Sequence, residues 1–300
     1  MRDGEARDER FGYLNEGQVA LACGRRLGFA EFGSRTGAPI LYFHGCPGSR
    51  LEAALGGALA RRMGVRLIAV DRPGCGLSDY QPRRVIADWP RDVSALADHL
   101  GLVRFAVLGV SGGGPYAAAC ALSTLRRLTR VGIAAGLGPL DRPGATSGMV
   151  AAIRLTLTLP SWAPWLLGPA CGGASVLIRR KAERFLSRAC EHLAPPDGEV
   201  LGRESVRRVL AASFREGVRQ GRAGLVRELK LYNRPWGLAP AGRAAEAHIF
   251  HGELDRITPP AMGRVLAGLI PGARATFYPG EGHHSLAINR AEEIFRTLLA

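Results

Sequence analysis

A serine set among glycines, in the stretch GVSGGGP (109–115), is the residue with the clearest potential for chemistry. The apolar run FAVLGV before it is typical of a short buried strand, and the Ala- and Leu-rich run after it is typical of a buried helix. At such a strand-to-helix turn, the spacing G-x-S-x-G exposes the hydroxyl of Ser111 above a sheet. Gly109 and Gly113 lack the Cβ atoms that would clash there, and Gly112 supplies a backbone N–H for a developing oxyanion. The spacing fits neither a dinucleotide-binding nor a phosphate-binding loop, so it predicts a nucleophile.

A nucleophilic serine needs a base, and the base needs a group that orients it. The segment HGELDRITPP places Asp255 just past a predicted strand, and YPGEGHHSL places His283 just past the next one. The order Ser111, Asp255, His283 along the chain is one of the known orders of a Ser-His-Asp triad. Asp141, past an earlier strand, is an alternative acid, and His284 is an alternative base.

The elements that must position these residues alternate between short apolar strands and helices. The patterns predict a hairpin over 18–33, strands over 39–45, 65–74, 105–110, 128–138, 245–255 and 273–284, and helices over 49–64, 92–101 and 290–299. Ser49 and Glu52 fit a capping box at the start of the first helix. Strands that alternate with helices predict a mostly parallel sheet with helices on both faces.

Residues 140–242 interrupt the alternation, because they show helical patterns without a convincing buried strand. Within them, residues 155–178 carry no charge and are long enough to span a bilayer. Three prolines would break a single spanning helix there, so we expect short packed helices and no stable membrane insertion.

Several motifs together resemble one family. HGCPGS (44–49), DRPGCGLSD (71–79), the G-x-S-x-G turn and the loops that hold Asp255 and His283 are similar to those of the capped serine hydrolases of the α/β-hydrolase superfamily. In that family the loop at 44–49 supplies the second oxyanion donor. The resemblance therefore implies this role for the backbone N–H of Cys46.

The resemblance covers most of the chain and implies its organisation. It implies an α/β-hydrolase fold, with a mostly parallel twisted sheet, helices on both faces and an inserted helical cap. The core would comprise residues 1–139 and 243–300, and the cap residues 140–242. It implies no cofactor, and seven histidines without metal-ligand spacing indicate no metal site.

The predicted cap must line most of the substrate pocket. Trp162, Trp165 and Leu166 lie in its apolar segment, and Trp236 lies where it rejoins the core. These side chains favour a small, largely apolar substrate, and we expect hydrolysis of an ester-type bond. Lactone opening and carbon–carbon bond hydrolysis are alternatives on the same triad. A non-catalytic small-molecule receptor on the same fold is the alternative from another class.

The six cysteines contain no C-x-x-C pair, so they indicate neither a zinc ribbon nor a dithiol redox motif. Most of them lie in apolar stretches, as buried free thiols do, so we expect a reduced protein. Because the thiol of Cys46 should border the pocket, we hypothesise that activity is sensitive to bulky thiol reagents. The charged N-terminus has no apolar leader run, and together with the cysteines it favours a cytoplasmic protein.

The chain of 300 residues suits one large core with an insertion, as a monomer or homodimer. Its net charge of +14 comes almost entirely from arginine. No basic stretch is interleaved with aromatic residues, so we expect a solvated basic surface and no nucleic-acid partner.

Overall fold

The computed structural model describes residues 11–190, 193–240 and 244–300. Its strands are β1 (Asn15–Ala20), β2 (Arg26–Gly33), β3 (Ala38–Phe43), β4 (Val65–Val70), β5 (Phe105–Val110), β6 (Leu128–Ala134), β7 (Glu246–Gly252) and β8 (Arg274–Tyr278). They form one sheet in the order β1-β2-β4-β3-β5-β6-β7-β8. The pairs β1–β2 and β2–β4 are antiparallel and the other neighbouring pairs are parallel. The predicted mostly parallel sheet is confirmed.

Helices cover both faces of this sheet, also as predicted. They are α1 (Ala54–Arg62), α2 (Trp89–His99), α3 (Gly114–Ala121), α4 (Ala151–Trp162), α5 (Leu167–Cys190), α6 (Pro195–Gly202), α7 (Glu204–Gly217), α8 (Ala223–Tyr232), α9 (Pro260–Leu269), α10 (His283–Asn289) and α11 (Ala291–Leu299). On one face, α2, α3 and α9 bury side chains such as Val93 and Leu266. On the other face, α1 and α11 bury Ala60 and Phe295.

The central strands bring the functional loops together. All six residues of β5 are buried, as expected for a parallel strand covered on both faces. The register pairs Phe43 of β3 with Gly109 of β5, and Val110 of β5 with Ala134 of β6. The carboxyl ends of these three strands therefore lie side by side, and the loops that follow them meet at one edge of the sheet.

Helices α4 to α8 lie between β6 and β7, and the described residues from 135 to 240 contain no strand. We refer to residues 151–232 as the helical insertion. The apolar segment 155–178 is divided between α4 and α5, which are separated by the non-helical residues 163–166. Across the described ranges, none of the helices is both long and apolar enough to cross a membrane. The predicted boundary at 242–243 lies outside the described residues.

The helix predicted over 49–64 begins differently from the prediction. Its first turn, Arg50–Ala53, is a 3-10 turn, and Ser49 caps it. The carboxylate of Glu52 does not complete a capping box. It accepts hydrogen bonds from the backbone N–H of Gly45 and from the hydroxyl of Tyr42 instead. A tertiary contact has replaced the local one, and it moves a carboxylate next to the predicted oxyanion loop.

Candidate active site

Ser111 lies on a strained turn between β5 and α3. Its φ of 53° is in the left-handed region, which non-glycine residues rarely adopt. A Cβ on Gly109 would lie 2.5 Å from the carbonyl oxygen of Gly113, and a Cβ on Gly113 would overlap the carbonyl of Phe43. The flanking glycines therefore let α3 begin directly against the two strands, which aims the Ser111 hydroxyl outward.

The structure brings the three predicted catalytic side chains into one hydrogen-bonded chain. His283 Nε2 lies 2.9 Å from Ser111 Oγ, and His283 Nδ1 lies 2.8 Å from Asp255 Oδ2. Asp255 and His283 are both buried. The other oxygen of Asp255 accepts the backbone N–H groups of Ile257 and Thr258, each at 2.8 Å, which fixes the carboxylate in place.

The alternatives for acid and base lie elsewhere. Asp141 is exposed to solvent, and Asp255 occupies the place beside His283. The ring of His284 packs edge-on against that of His283, at 5.1 Å between centroids. Burial, together with the neighbouring charge of His283, lowers the pKa of His284 to about 4.

The electrostatics suit a base at position 283. Burial alone would lower the pKa of His283, but the charge and hydrogen bond of Asp255 outweigh burial and raise the pKa above its ordinary value. Burial would likewise raise the pKa of Asp255, but the charge and hydrogen bond of His283 hold it below its ordinary value. Asp255 is therefore a carboxylate that orients the imidazole and favours its charged form.

Thr258 also contacts this chain of hydrogen bonds, although no sequence motif predicts a role for it. Its hydroxyl oxygen lies 2.8 Å from Asp255 Oδ2, 3.0 Å from His283 Nδ1 and 2.9 Å from the carbonyl oxygen of Ala135. The hydroxyl can donate its one proton to either oxygen while it accepts from the imidazole N–H.

Cys46 and Gly112, the two predicted oxyanion donors, are neighbours. A Cβ on Gly112 would lie 3.2 Å from the backbone nitrogen of Cys46. Arg72 holds the loop that carries Cys46, because its guanidinium donates to the carbonyls of His44 and Gly45. Burial raises the pKa of the Cys46 thiol, so little thiolate is available for reaction with thiol reagents.

The helical insertion is bonded to these loops through α8. Glu228 Oε2 lies 2.8 Å from Arg72 Nε and 2.6 Å from the hydroxyl of Tyr232. That hydroxyl also lies 3.0 Å from the carbonyl oxygen of Gly112. Arg84 binds the other oxygen of Glu228. Glu228 and Tyr232 of the insertion are therefore hydrogen-bonded to residues that position the predicted oxyanion donors.

The insertion also contacts the segment that carries His283, through α6. The buried carboxylate of Asp197 accepts the backbone N–H groups of His283, His284 and Ser285, at 2.9, 2.7 and 2.9 Å. These are the first N–H groups of α10, which have no partner inside that helix. Sequence reasoning missed Asp197 because no local pattern links it to a loop 86 residues away.

One cavity of about 1060 Å³ is lined by Ser111 and His283 and mostly by apolar side chains, many of which belong to the insertion. Trp162 is among its lining residues, as predicted. The structure corrects the prediction for Trp165, Leu166 and Trp236, none of which lines it. Trp165 and Leu166 are exposed to solvent just after the end of α4. Trp236 is buried in the same hydrophobic cluster as residues of α2 and α3.

Glu52 is the one carboxylate among the described lining residues of this cavity. A methyl group placed on Gly45 would lie 3.4 Å from Glu52 Oε2 and 3.5 Å from Ser111 Cβ, so both side chains border the same small space. Burial raises the pKa of Glu52 despite the hydrogen bonds from Tyr42 and Gly45.

Residues 40–297 match the model of the alpha/beta hydrolase family. Among solved structures, the chain is similar to an esterase from Exiguobacterium antarcticum, with 18% identity, a TM-score of 0.67 and coverage of 95% of this chain and 98% of that chain. It is similar to a bromoperoxidase from Bacillus anthracis, with 19% identity, a TM-score of 0.68 and coverage of 95% and 99%. It is also similar to an enol-lactonase from Burkholderia xenovorans, with 21% identity, a TM-score of 0.64 and coverage of 94% and 98%.

Proposed function

Because the chain belongs to the alpha/beta hydrolase family, we propose that it is a serine hydrolase that cleaves ester-type bonds of small, largely apolar substrates. The observation that carries the proposal is the chain of hydrogen bonds from Ser111 through His283 to Asp255, at 2.9 and 2.8 Å. It has the donor and acceptor order that a nucleophile, a base and an orienting acid require.

In the first half of the reaction, His283 Nε2 takes the proton of Ser111, and Ser111 Oγ forms a bond to the carbonyl carbon. The carbonyl oxygen becomes an oxyanion, held by the backbone N–H groups of Cys46 and Gly112. The oxyanion then collapses, the ester C–O bond breaks, and the imidazolium of His283 returns its proton to the leaving alcohol. The acyl group stays on Ser111.

In the second half, His283 takes a proton from water, and the hydroxide oxygen bonds to the acyl carbon. Collapse of the second oxyanion breaks the bond to Ser111 Oγ, which regains its proton from His283, and the acid leaves. A lactone is a cyclic ester, so the same steps would open it. The similarity to a solved enol-lactonase supports lactones as candidate substrates.

In this proposal, the helical insertion is the cap over the site. The apolar lining that it gives to the cavity supports a substrate whose acyl or alcohol part is apolar. Its hydrogen bonds to the backbone of Gly112 and of His283 support a role in positioning catalytic groups as well as in covering them.

Intact-protein mass after treatment with a small alkyl fluorophosphonate tests the proposal. We expect one adduct on the wild type, none on Ser111→Ala, and a labelling rate at least about 100-fold lower on His283→Ala, because the base is lost. His284→Ala is the matched control, and it should be labelled as the wild type is.

Unlabelled wild type and Ser111→Ala would then be assayed with esters, lactones and diketones. Multiple turnovers of esters or lactones that Ser111→Ala abolishes would support the proposal. Turnover of diketones alone would replace it with carbon–carbon bond hydrolysis. A wild type that takes no adduct, or tight ligand binding without turnover, would contradict it and favour a receptor.

A further inference from the structure

The active-site cavity is not uniformly apolar, and its polarity follows one helix of the insertion. Residues along most of the length of α5 line the cavity. In the first part of α5 they are the apolar Ala170, Cys171, Ala174 and Leu177, and further along they include Lys181, Arg184 and Arg188. The backbone of α5 leaves helical geometry at Lys181, where φ is −142° and ψ is 40°. From this kink onward, the part of α5 that lines the cavity carries three cations as well as the apolar Phe185 and Leu186.

These three cations have no acidic partner in the described part of the chain. Lys181, Arg184 and Arg188 make no ion pair or hydrogen bond with described residues, and all three are exposed to solvent. The nearby Glu183 is paired with Arg215 on α7 instead. Arg184 and Arg188 are four residues apart, so they lie on the same side of the helix.

Among the described residues that line the rest of the cavity, none pairs with these cations. Its one described lining carboxylate is Glu52, which is buried beside Ser111 and bonded to Tyr42 and Gly45. α5 packs against α6, α7 and α8, within the insertion. The cavity is therefore lined by Ser111 in the sheet layer, by apolar side chains, and by three cations of an insertion helix that have no acidic partner among the described residues.

We infer that Lys181, Arg184 and Arg188 form a subsite for an anionic group, and that the substrate is an amphiphile. It would be an ester with its carbonyl at Ser111 and an apolar chain that ends in a carboxylate or phosphate. Arginine suits both groups because its guanidinium can donate two parallel hydrogen bonds to their oxygens. An exposed ion pair contributes little, but three cations that line one part of the same cavity add their fields at an anion bound there. This inference names the substrate class of the proposed function and rests on it.

The test compares two ester series on the same protein. One series consists of p-nitrophenyl half-esters of dicarboxylic acids, and the other of p-nitrophenyl esters of monocarboxylic acids with matched chain lengths. We expect the wild type to prefer the carboxylate series at the chain length that reaches α5. In the variant Lys181→Gln/Arg184→Gln/Arg188→Gln, the ratio of the two kcat/KM values should fall by about tenfold or more. In the wild type the same ratio should fall as salt is added, because the cations are exposed.

Arg179→Gln/Arg180→Gln is the matched control, since both residues are exposed on α5 and neither lines the cavity. It removes similar charge from the same helix and should keep the wild-type ratio within about twofold. A triple variant that also keeps this ratio, or a control that loses it equally, would overturn the subsite.

Binding measured without turnover separates this inference from the proposed function. Calorimetric titration with a long-chain dicarboxylate should show binding to the wild type and to Ser111→Ala, and much weaker binding to the triple variant. If no ester is cleaved but this pattern holds, the anion subsite stands and the serine-hydrolase proposal fails. Equal dicarboxylate binding by the wild type and the folded triple variant overturns the subsite, whatever the esterase assays give. Thermal unfolding of each variant establishes that it is folded.

Discussion

At the residue scale, Glu52 is a buried carboxylate that faces the same small space as Ser111, the proposed nucleophile. The negative charge of Glu52 helps to raise the pKa of His283, in addition to the larger effects of Asp255 and Asp197. In the proposed mechanism, His283 must be neutral to accept the Ser111 proton, so we expect activity to fall as the pH drops through the pKa of His283. Each carboxylate that raises this pKa moves the acid limb of the pH profile upward.

We therefore expect Glu52→Gln to move the acid limb of kcat/KM to lower pH. Glutamine keeps an acceptor for the N–H of Gly45 but removes the charge that helps to raise the pKa of His283. A pH profile with a neutral ester measures the shift. Glu292→Gln, on the exposed side of α11, is the control and should leave the limb in place. A limb that stays in place in Glu52→Gln, or moves upward, would contradict this role.

At the element scale, the contact between α6 and α10 links the insertion to His283, the proposed base. Asp197→Asn should weaken it, because an amide has one acceptor oxygen where the carboxylate serves three N–H groups. We expect a cost of roughly 1–3 kcal/mol in the free energy of unfolding, and a kcat lower by about tenfold because His283 is held less firmly. Urea unfolding and kinetics normalised by fluorophosphonate titration measure the two effects.

The pH profile separates positioning from simple loss of folded protein in this variant. The charge of Asp197 helps to raise the pKa of His283, so Asp197→Asn should also shift the acid limb to lower pH. Glu199→Gln changes an exposed carboxylate on the same helix and should move neither kcat nor the limb. If Asp197→Asn keeps the wild-type kcat per titrated site and the wild-type limb, the contact holds the fold alone.

At the scale of the whole molecule, local patterns predicted the sheet and the positions of Ser111, Asp255 and His283, because each follows a recognisable strand. They could not predict the part that Asp197 and Tyr232 take, since these residues lie on helices whose local sequence says nothing about a distant loop. Glu52 matched a local capping pattern, but its tertiary contact proved stronger. Exposure of aromatic residues is likewise decided by packing, which is why the predictions for Trp165 and Trp236 were wrong.

The buried group formed by Glu228, Arg72 and Arg84 joins the insertion to the core across the whole molecule. Burial would raise the pKa of Glu228, but the two guanidinium charges and the phenol hydrogen bonds lower it to about 2. Breaking one side of a buried ion pair leaves uncompensated charge, so Glu228→Gln should lower the free energy of unfolding by about 3–5 kcal/mol near neutral pH. Because α8 is bonded to the core loops, we expect the wild type to unfold in one transition that includes the insertion.

The pH dependence of the free energy of unfolding tests whether the charge of Glu228 causes this destabilisation. A carboxylate whose folded-state pKa is lowered stabilises the fold fully above its ordinary pKa of 4.5, and this contribution is lost as the pH falls toward about 2. Urea unfolding at a series of pH values should therefore show a constant gap between wild type and Glu228→Gln above pH 4.5, and a narrowing gap below it. Glu253→Gln, an exposed change, should follow the wild type throughout. A gap that persists unchanged into acid would mean that packing, and not the charge of Glu228, joins the insertion to the core.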